Sequence, residues 1–304
     1  VKVTLVHVEK IPEEYSLIEA GFRILEADFE PLRFPETPDK VSVGDAEAVL
    51  STLKSSDYAI FAVPEGGVPP GPLWFLSGYA AAKNREDFLY LYNPARIPLP
   101  WWLAEAPAGY TVEDIKAYFT VSIPKHRIEK TRRNARKELV EAGCALTEEA
   151  MAESVAAGNR RYVELYLDAG FSSGARNGKG IPALTLAVRK NHREIADMLM
   201  AAGADIDLAA PDTGNTPIMD AVAVENTDLV RDLITAGATL NVQNKNGQTA
   251  LILAVGKANG GITDLLVEAG ANADITDNLD MSALKYAELF KYTQLIPLLT
   301  RRPA

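Results

Sequence analysis

The 304-residue chain is predicted to form an α/β domain built on a parallel sheet, followed by an all-α solenoid. Three observations predict this. Through residues 1–120, continuous apolar runs alternate with helix-compatible segments, the pattern of strands covered on both faces. Four glycines, Gly170, Gly203, Gly237 and Gly270, then close similar segments at spacings of 33, 34 and 33 residues, a solenoid period. Between the two rhythms, residues 123–146 carry seven Lys and Arg against three Asp and Glu in a chain of net charge −10. The expected division is therefore an α/β domain over 1–122, a basic linker and junction helix over 123–146, and a repeat domain over 147–304.

The first strand is VKVTLVHV, apolar enough to be buried on both faces. A helix follows from Glu13 to Ala27, then a short apolar return from Phe29 to Phe34. GDAEAVLSTLKSSD, Gly44 to Asp57, is amphipathic and ends where the strand Tyr58 to Pro64 begins. After the loop EGGVPPGP, PLWFLSGYAAAKN reads as a helix and Phe88 to Asn93 as a third strand. Pro94 to Thr111, with Trp101, Trp102 and several prolines, is too interrupted for a standard connection and reads as a structured loop or lid.

Ligands of open α/β sheets bind beyond the carboxyl ends of the strands. Those ends carry His7, Val8 and Glu9, then Pro64, Glu65, Gly66 and Gly67, then Asn93. Gly66, Gly67 and Gly71 permit close backbone approach, and the next helix start, near Leu73, suits an anion. The loop lacks both the GK[ST] of a phosphate-binding P-loop and the G-x-G-x-x-G of a dinucleotide site. A turn with a purely structural task is the other reading.

The order of strand, PEGG loop, PLWFLSGYAAAKN and strand resembles the nucleoside 2-deoxyribosyltransferase family through Gly71, Phe75, Gly78, Tyr79, Ala80, Ala82 and Lys83. That resemblance implies a flavodoxin-like sheet binding a nucleoside-like ligand near Glu65, Gly67 and Gly78, beneath Trp101 and Trp102. The family's glutamate nucleophile falls on Leu76, which cannot attack an anomeric carbon. Ser77 has no evident base beside it. Glu9 and Glu65 are the carboxylates left for a glycosidic reaction. A non-catalytic domain and an N-glycoside-cleaving enzyme or nucleoside sensor both stay open.

In the junction, Ala135, Leu139 and Ala142 form an apolar stripe on a helix expected over 130–142, with Arg132, Arg133, Arg136 and Lys137 outside. Beyond it the repeat begins. The segments end DAG, AAGADID, TAGATLN and EAGANAD, each glycine supplying a left-handed helix cap. A second periodic set, Gly180, Gly214, Gly247 and the substituted Asp280, precedes IPAL, NTPI, QTAL and MSAL. Thr216, Thr249 and Ser282 are expected to cap the helices that follow, whereas Pro182 replaces the hydroxyl in the first unit.

These signatures closely resemble the ankyrin repeat, with units near 177–209, 211–243 and 244–276, a truncated one from 277, and a degenerate helix pair over 146–170. Ala187, Leu199, Ala221, Leu233, Ala254, Leu265, Leu266 and Ala287 should stack between layers. By the ankyrin pattern the turn tips carry Arg176, Asn177, Lys179, Asp212, Asn215, Asn244, Lys245, Asn246, Gln248, Asn278 and Asp280. Exposed inner-helix positions would be Lys190, Asp220, Glu225 and Tyr286. His192 reads as a structural cap, and Tyr286, Phe290 and Tyr292 as aromatic packing of an end unit or a partner-contacting patch. Pro297 is expected to interrupt the final helix.

The leading functional expectation is a protein-interaction scaffold that uses the concave ankyrin face to present a non-catalytic α/β domain. No cofactor is expected, and three histidines with one cysteine, Cys144, give no zinc spacing. The acidic balance argues against general nucleic-acid binding, and no run of apolar residues is long enough to span a membrane. The lone cysteine fits a reducing, cytoplasmic setting. Because the chain starts at Val1, a removed signal peptide stays open.

Overall fold

A computed structural model describes residues 1–7, 15–33, 51–53, 55–62, 89–92, 107–109 and 111–300. The chain divides into two compact units, Val1–Lys130 and Thr131–Ala304.

Among the described residues of the first unit, five parallel strands, β1 (Lys2–His7), β2 (Asp28–Arg33), β3 (Tyr58–Ala62), β4 (Leu89–Tyr92) and β5 (Ala108–Gly109), lie in the order β2-β1-β3-β4-β5. That is the doubly wound order of flavodoxin-like domains. Val3, Leu5 and Ile60 are buried on one sheet face and Thr4, Val6 and Phe61 on the other, as the unbroken apolar runs require. Pro31 falls in β2, which has a single described neighbour, where a missing ladder donor is tolerated. The loop expected over 94–111 contains β5, recruited when the Leu91 amide donates to the Pro107 carbonyl.

Helix α1 (Tyr15–Ile24) and the first part of α2 (Val112–Glu141) cover one face. Phe119 of α2 is fully buried, its ring 4.9 Å from Phe22, 5.3 Å from Tyr58 and 5.6 Å from Tyr90. The helix expected over 130–142 thus starts much earlier, at Val112, and passes through Pro124. Its apolar face changes along its length. Ile115, Phe119 and Ile123 pack in the first unit, and Ala135 and Leu139 in the second. At the amino ends of β1 and β3, Asp57 accepts from the Lys2 amide at 3.0 Å and from Lys130 at 3.1 Å, with His126 Nε2 at 3.2 Å.

The second unit is a stack of helix pairs: α3 (Glu148–Ala156) with α4 (Arg160–Asp168), α5 (Ala183–Arg189) with α6 (Arg193–Ala201), α7 (Pro217–Ala223) with α8 (Thr227–Thr235), α9 (Ala250–Gly256) with α10 (Gly260–Glu268), and α11 (Ala283–Leu289) with the short α12 (Ile296–Leu299). The first member of each pair packs on the first member of the next, forming an inner row, and the second members form an outer row. Ala187, Leu199, Ala221, Leu233, Ala254, Leu266 and Ala287 are fully buried between layers; Leu265 is half-buried.

Gly170, Gly203, Gly237 and Gly270 take φ of 86°, 83°, 91° and 91°, the left-handed caps the period demands. The helix starts are less uniform than expected. Thr249 and Ser282 accept from backbone amides of the first turn, but the buried Thr216 hydroxyl makes no hydrogen bond. Pro217, with its fixed φ, organises that turn without it. His192 likewise makes no cap bond. Its ring lies against Gly158, and its Nε2 is 3.4 Å from the Ala156 carbonyl in the preceding pair. Pro297 opens α12 instead of interrupting a longer helix.

Candidate functional site

The turn tips are built by one repeated device. A side-chain oxygen at the start of the turn accepts two backbone amides across it: Asn177 from Lys179 and Ile181, Asn244 from Asn246 and Gln248, Asp277 from Leu279 and Met281, at 2.9–3.1 Å. Asn and Asp are suited to this because their short side chains close such turns on their own backbone. In the intervening tip, one residue longer in register, Thr213 Oγ1 accepts from the Asn215 amide at 3.1 Å.

Neighbouring tips are bonded to each other. The Lys245 amide donates to the Thr213 carbonyl and the Asn278 amide to the Asn246 carbonyl, each at 3.1 Å. Glycine is required where these backbones meet: Gly247 has φ 75°, and a Cβ there would come within 2.7 Å of the Asn278 nitrogen. Gln243 spans two units as well, donating to the carbonyls of Gly247 and Thr276.

Behind the tips runs a polar network. Arg189 Nε donates to Asp220 Oδ2 at 2.7 Å, and both of its terminal nitrogens bind Asp212, at 2.6 and 3.0 Å. Asn215 donates to Asp220 Oδ1 at 2.7 Å and accepts from Asn244 at 2.9 Å. Burial pushes the Asp220 carboxyl up against the opposing pull of Asn215 and Arg189. The Arg189 guanidinium holds the more exposed Asp212 well below the ordinary carboxylate range.

These contacts redistribute the residues expected to bind a partner. Asn177, Asn215, Asn244 and Asp220 are internal fasteners. Asp220, expected to be exposed, is only 4% accessible because Arg189 and Asn215 close over it. Tyr286 is half-buried and donates its hydroxyl to Asp277 at 2.6 Å. Arg176, Lys179, Asp212, Asn246, Asn278, Lys190 and Glu225 remain exposed, and Gln248 is half-buried beside Asn244. Leu279 and Leu289, which carry no signal in the sequence, are 76% and 62% exposed at the last tip and the end of α11; Phe290, expected in end packing or a partner-contacting patch, is 48% exposed.

On the outer row several charges pair between layers. Arg161 pairs with Glu138, Arg160 with Glu194, and Arg193 with Asp228 and Asp232. An open cleft of about 430 Å³ there is lined by Arg193, Asp197, Arg231 and Asp232, whose two arginines are already ion-paired. Among the described residues no helix is long and apolar enough to cross a membrane.

In the first unit, β1 ends on His7, which is 3% accessible. Glu9, Glu65, Gly66, Gly67, Gly71, Gly78, Trp101 and Trp102 lie outside the described residues, as do Leu76 and Ser77.

The family model described as "Ankyrin repeats (3 copies)" matches residues 150–244 and 218–303. An ankyrin repeat-containing protein of Treponema pallidum (strain Nichols) is 40% identical over 178 residues, which cover 59% of this chain and 60% of that one. The B-cell lymphoma 3 protein homolog of Mus musculus is 33% identical over 100 residues, 33% of this chain and 22% of the relative. The E3 ubiquitin-protein ligase KEG of Arabidopsis thaliana is 30% identical over 99 residues, 31% of this chain and 6% of the relative. The chain thus spans less than two thirds of the length of each of these relatives. Ankyrin repeats generally bind other proteins, and the match supports a protein–protein interaction role. Matched over half its length and folded as the stacked helix pairs its period requires, the chain belongs to the ankyrin-repeat family.

Proposed function

We propose that the chain is an interaction scaffold: the concave side of the stack, formed by the turn tips and the inner helices, receives another protein, and the α/β domain it presents is non-catalytic. The observation that carries this is the bonding of tip to tip and Asn215 to Asn244, which fixes the surface before any partner arrives. A surface ordered in advance loses less conformational freedom on binding. On the outer row, by contrast, Arg160 and Arg193 are held in ion pairs between layers.

For the α/β domain, leucine at position 76 supports a role without glycosidic chemistry. One observation favours a nucleoside-binding reading instead. In this strand order the crevice opens where β1 and β3 adjoin, and Glu9 and Glu65 follow those two strands in the sequence.

The test compares protein captured by the whole chain with that captured by Arg176→Glu/Lys179→Glu/Asn246→Asp, and by an outer-row control, Arg231→Glu. The tip variant is expected to weaken capture at least tenfold and the control to leave it unchanged. Equal loss in both, or in neither, moves the site off the tips. Calorimetric titration with adenosine and thymidine decides the second reading, which needs a heat signal that Glu65→Gln removes.

A further inference from the structure

The carboxyl ends of the inner helices form a strip of exposed turns. The inner helices α5, α7, α9 and α11 stop at equivalent tight turns: Arg189 and Lys190, Ala223 to Glu225, Gly256 to Ala258, and Leu289 to Lys291. Two features of the strip stand out against a chain of net charge −10.

The first is its charge. Lys190, Lys257 and Lys291 are exposed in these turns, and the acids nearby are Glu225, which holds Lys257 loosely at 3.7 Å, and Glu288, one residue before Leu289. Arg189 is already committed to Asp212 and Asp220. Between the lysines stand Ala223, Val224 and Gly256, too small to obstruct an incoming backbone.

The second is apolar and lies at one end. Leu289 and Phe290 are 62% and 48% exposed, and Phe290 sits between Tyr286 and Tyr292 with centroids 5.8 and 5.6 Å away. A ring stacked between two tyrosines beside an exposed leucine is a seat for an apolar side chain, and aromatic anchors of this kind dominate binding energy when covered.

We infer that the occupant is an acidic segment of a partner protein carrying one aromatic or aliphatic anchor, its anchor on Leu289 and Phe290 and its carboxylates along Lys291, Lys257 and Lys190. Length agrees. Three steps between inner helices at about 10 Å each give about 30 Å, which an extended segment of about nine residues covers. A carboxylate at Lys257 replaces the long contact to Glu225 with a closer, charge-assisted one. The inference rests on the scaffold reading above and adds the chemistry of the partner.

The test is selection of a displayed library of random linear peptides on the whole chain, followed by affinity measurement of the enriched peptides. Peptides rich in Asp and Glu with a single aromatic or aliphatic residue are expected. Their affinity should fall at least tenfold on Phe290→Ser and on Lys190→Glu/Lys257→Glu, and weaken with salt in the parent chain only where the lysines remain. Far-ultraviolet circular dichroism and thermal unfolding of each variant must match the parent, and Leu289→Ser serves if Phe290→Ser unfolds. Enrichment of basic or uncharged peptides that the tip variant still weakens overturns the acidic partner while leaving the scaffold reading standing. Peptides that bind every tip and inner-row variant as well as the parent overturn both.

Discussion

Ala258 occupies a position that favours glycine. It has φ 54° in the turn joining α9 and α10, and Asn191, Glu225 and Lys291 take φ of 57–60° at the equivalent turns. Gly158 fills that place in the first pair, with φ 74°. Because a Cβ disfavours this conformation, Ala258→Gly is expected to raise stability by about 0.5 kcal/mol, read as an upward shift in the denaturant midpoint. Asp57 makes the opposite kind of contribution. Burial raises its carboxyl, but the Lys2 amide, Lys130 and His126 outweigh that and bring it down to about 2. Its folded-state value lies below the unfolded one, so its contribution is full above about pH 4 and is lost as pH falls towards 2. With partial exposure discounted, that is about 1–2 kcal/mol. Thermal unfolding of Asp57→Asn between pH 5 and 2 should fall less steeply than that of the parent; parallel curves would show that Asp57 is not responsible.

At the scale of elements, the polar residues that sequence offers as a binding edge are partly the means by which the edge is made. Asp220 sits in α7, bonded to Arg189 of α5 and to Asn215 of its own tip, which in turn receives Asn244 of the next tip. Removing one partner strands a buried charge. Arg189→Met should therefore cost about 3 kcal/mol by leaving the buried Asp220 carboxylate without its cation, whereas Arg189→Met/Asp220→Leu should cost clearly less, because no unpaired buried ion is left behind. Chemical denaturation of the single and double variants measures this, and a double variant as damaged as the sum of the singles would mean the residues act apart. Helix boundaries were legible where a local signal sets them: the left-handed glycines, and Thr249 and Ser282 at helix starts. Thr216 and His192 carried the same signals without making the bonds, because Pro217 and the neighbouring pair supply what a cap would. Helix α2 was misread at its start because its apolar face belongs to one core before Lys130 and to another after it.

Over the whole solenoid, stability is a sum over neighbours, and a pair with one neighbour is held less firmly than a pair with two. Amides of α5, α7 and α9 should therefore exchange slowest and those of α11 and α12 soonest among the stacked helices, as read by hydrogen exchange with mass spectrometry. Uniform protection along the stack would show instead that it opens as one unit. The sequence by itself determined the two-part architecture, the parallel sheet and the helix pairs, because apolar periodicity, glycine caps and turn residues act within a few positions of one another. Only the tertiary structure decided which polar side chains are fasteners and which are free. Asp220 is an acid in an ordinary amphipathic segment until Arg189, from the preceding pair, reaches it. Phe290 is one aromatic among several until the stack leaves it half-exposed beside Leu289. The first outcome depends on a contact about one repeat away in the chain and the second on what the end of the stack leaves uncovered, and no local pattern encodes either.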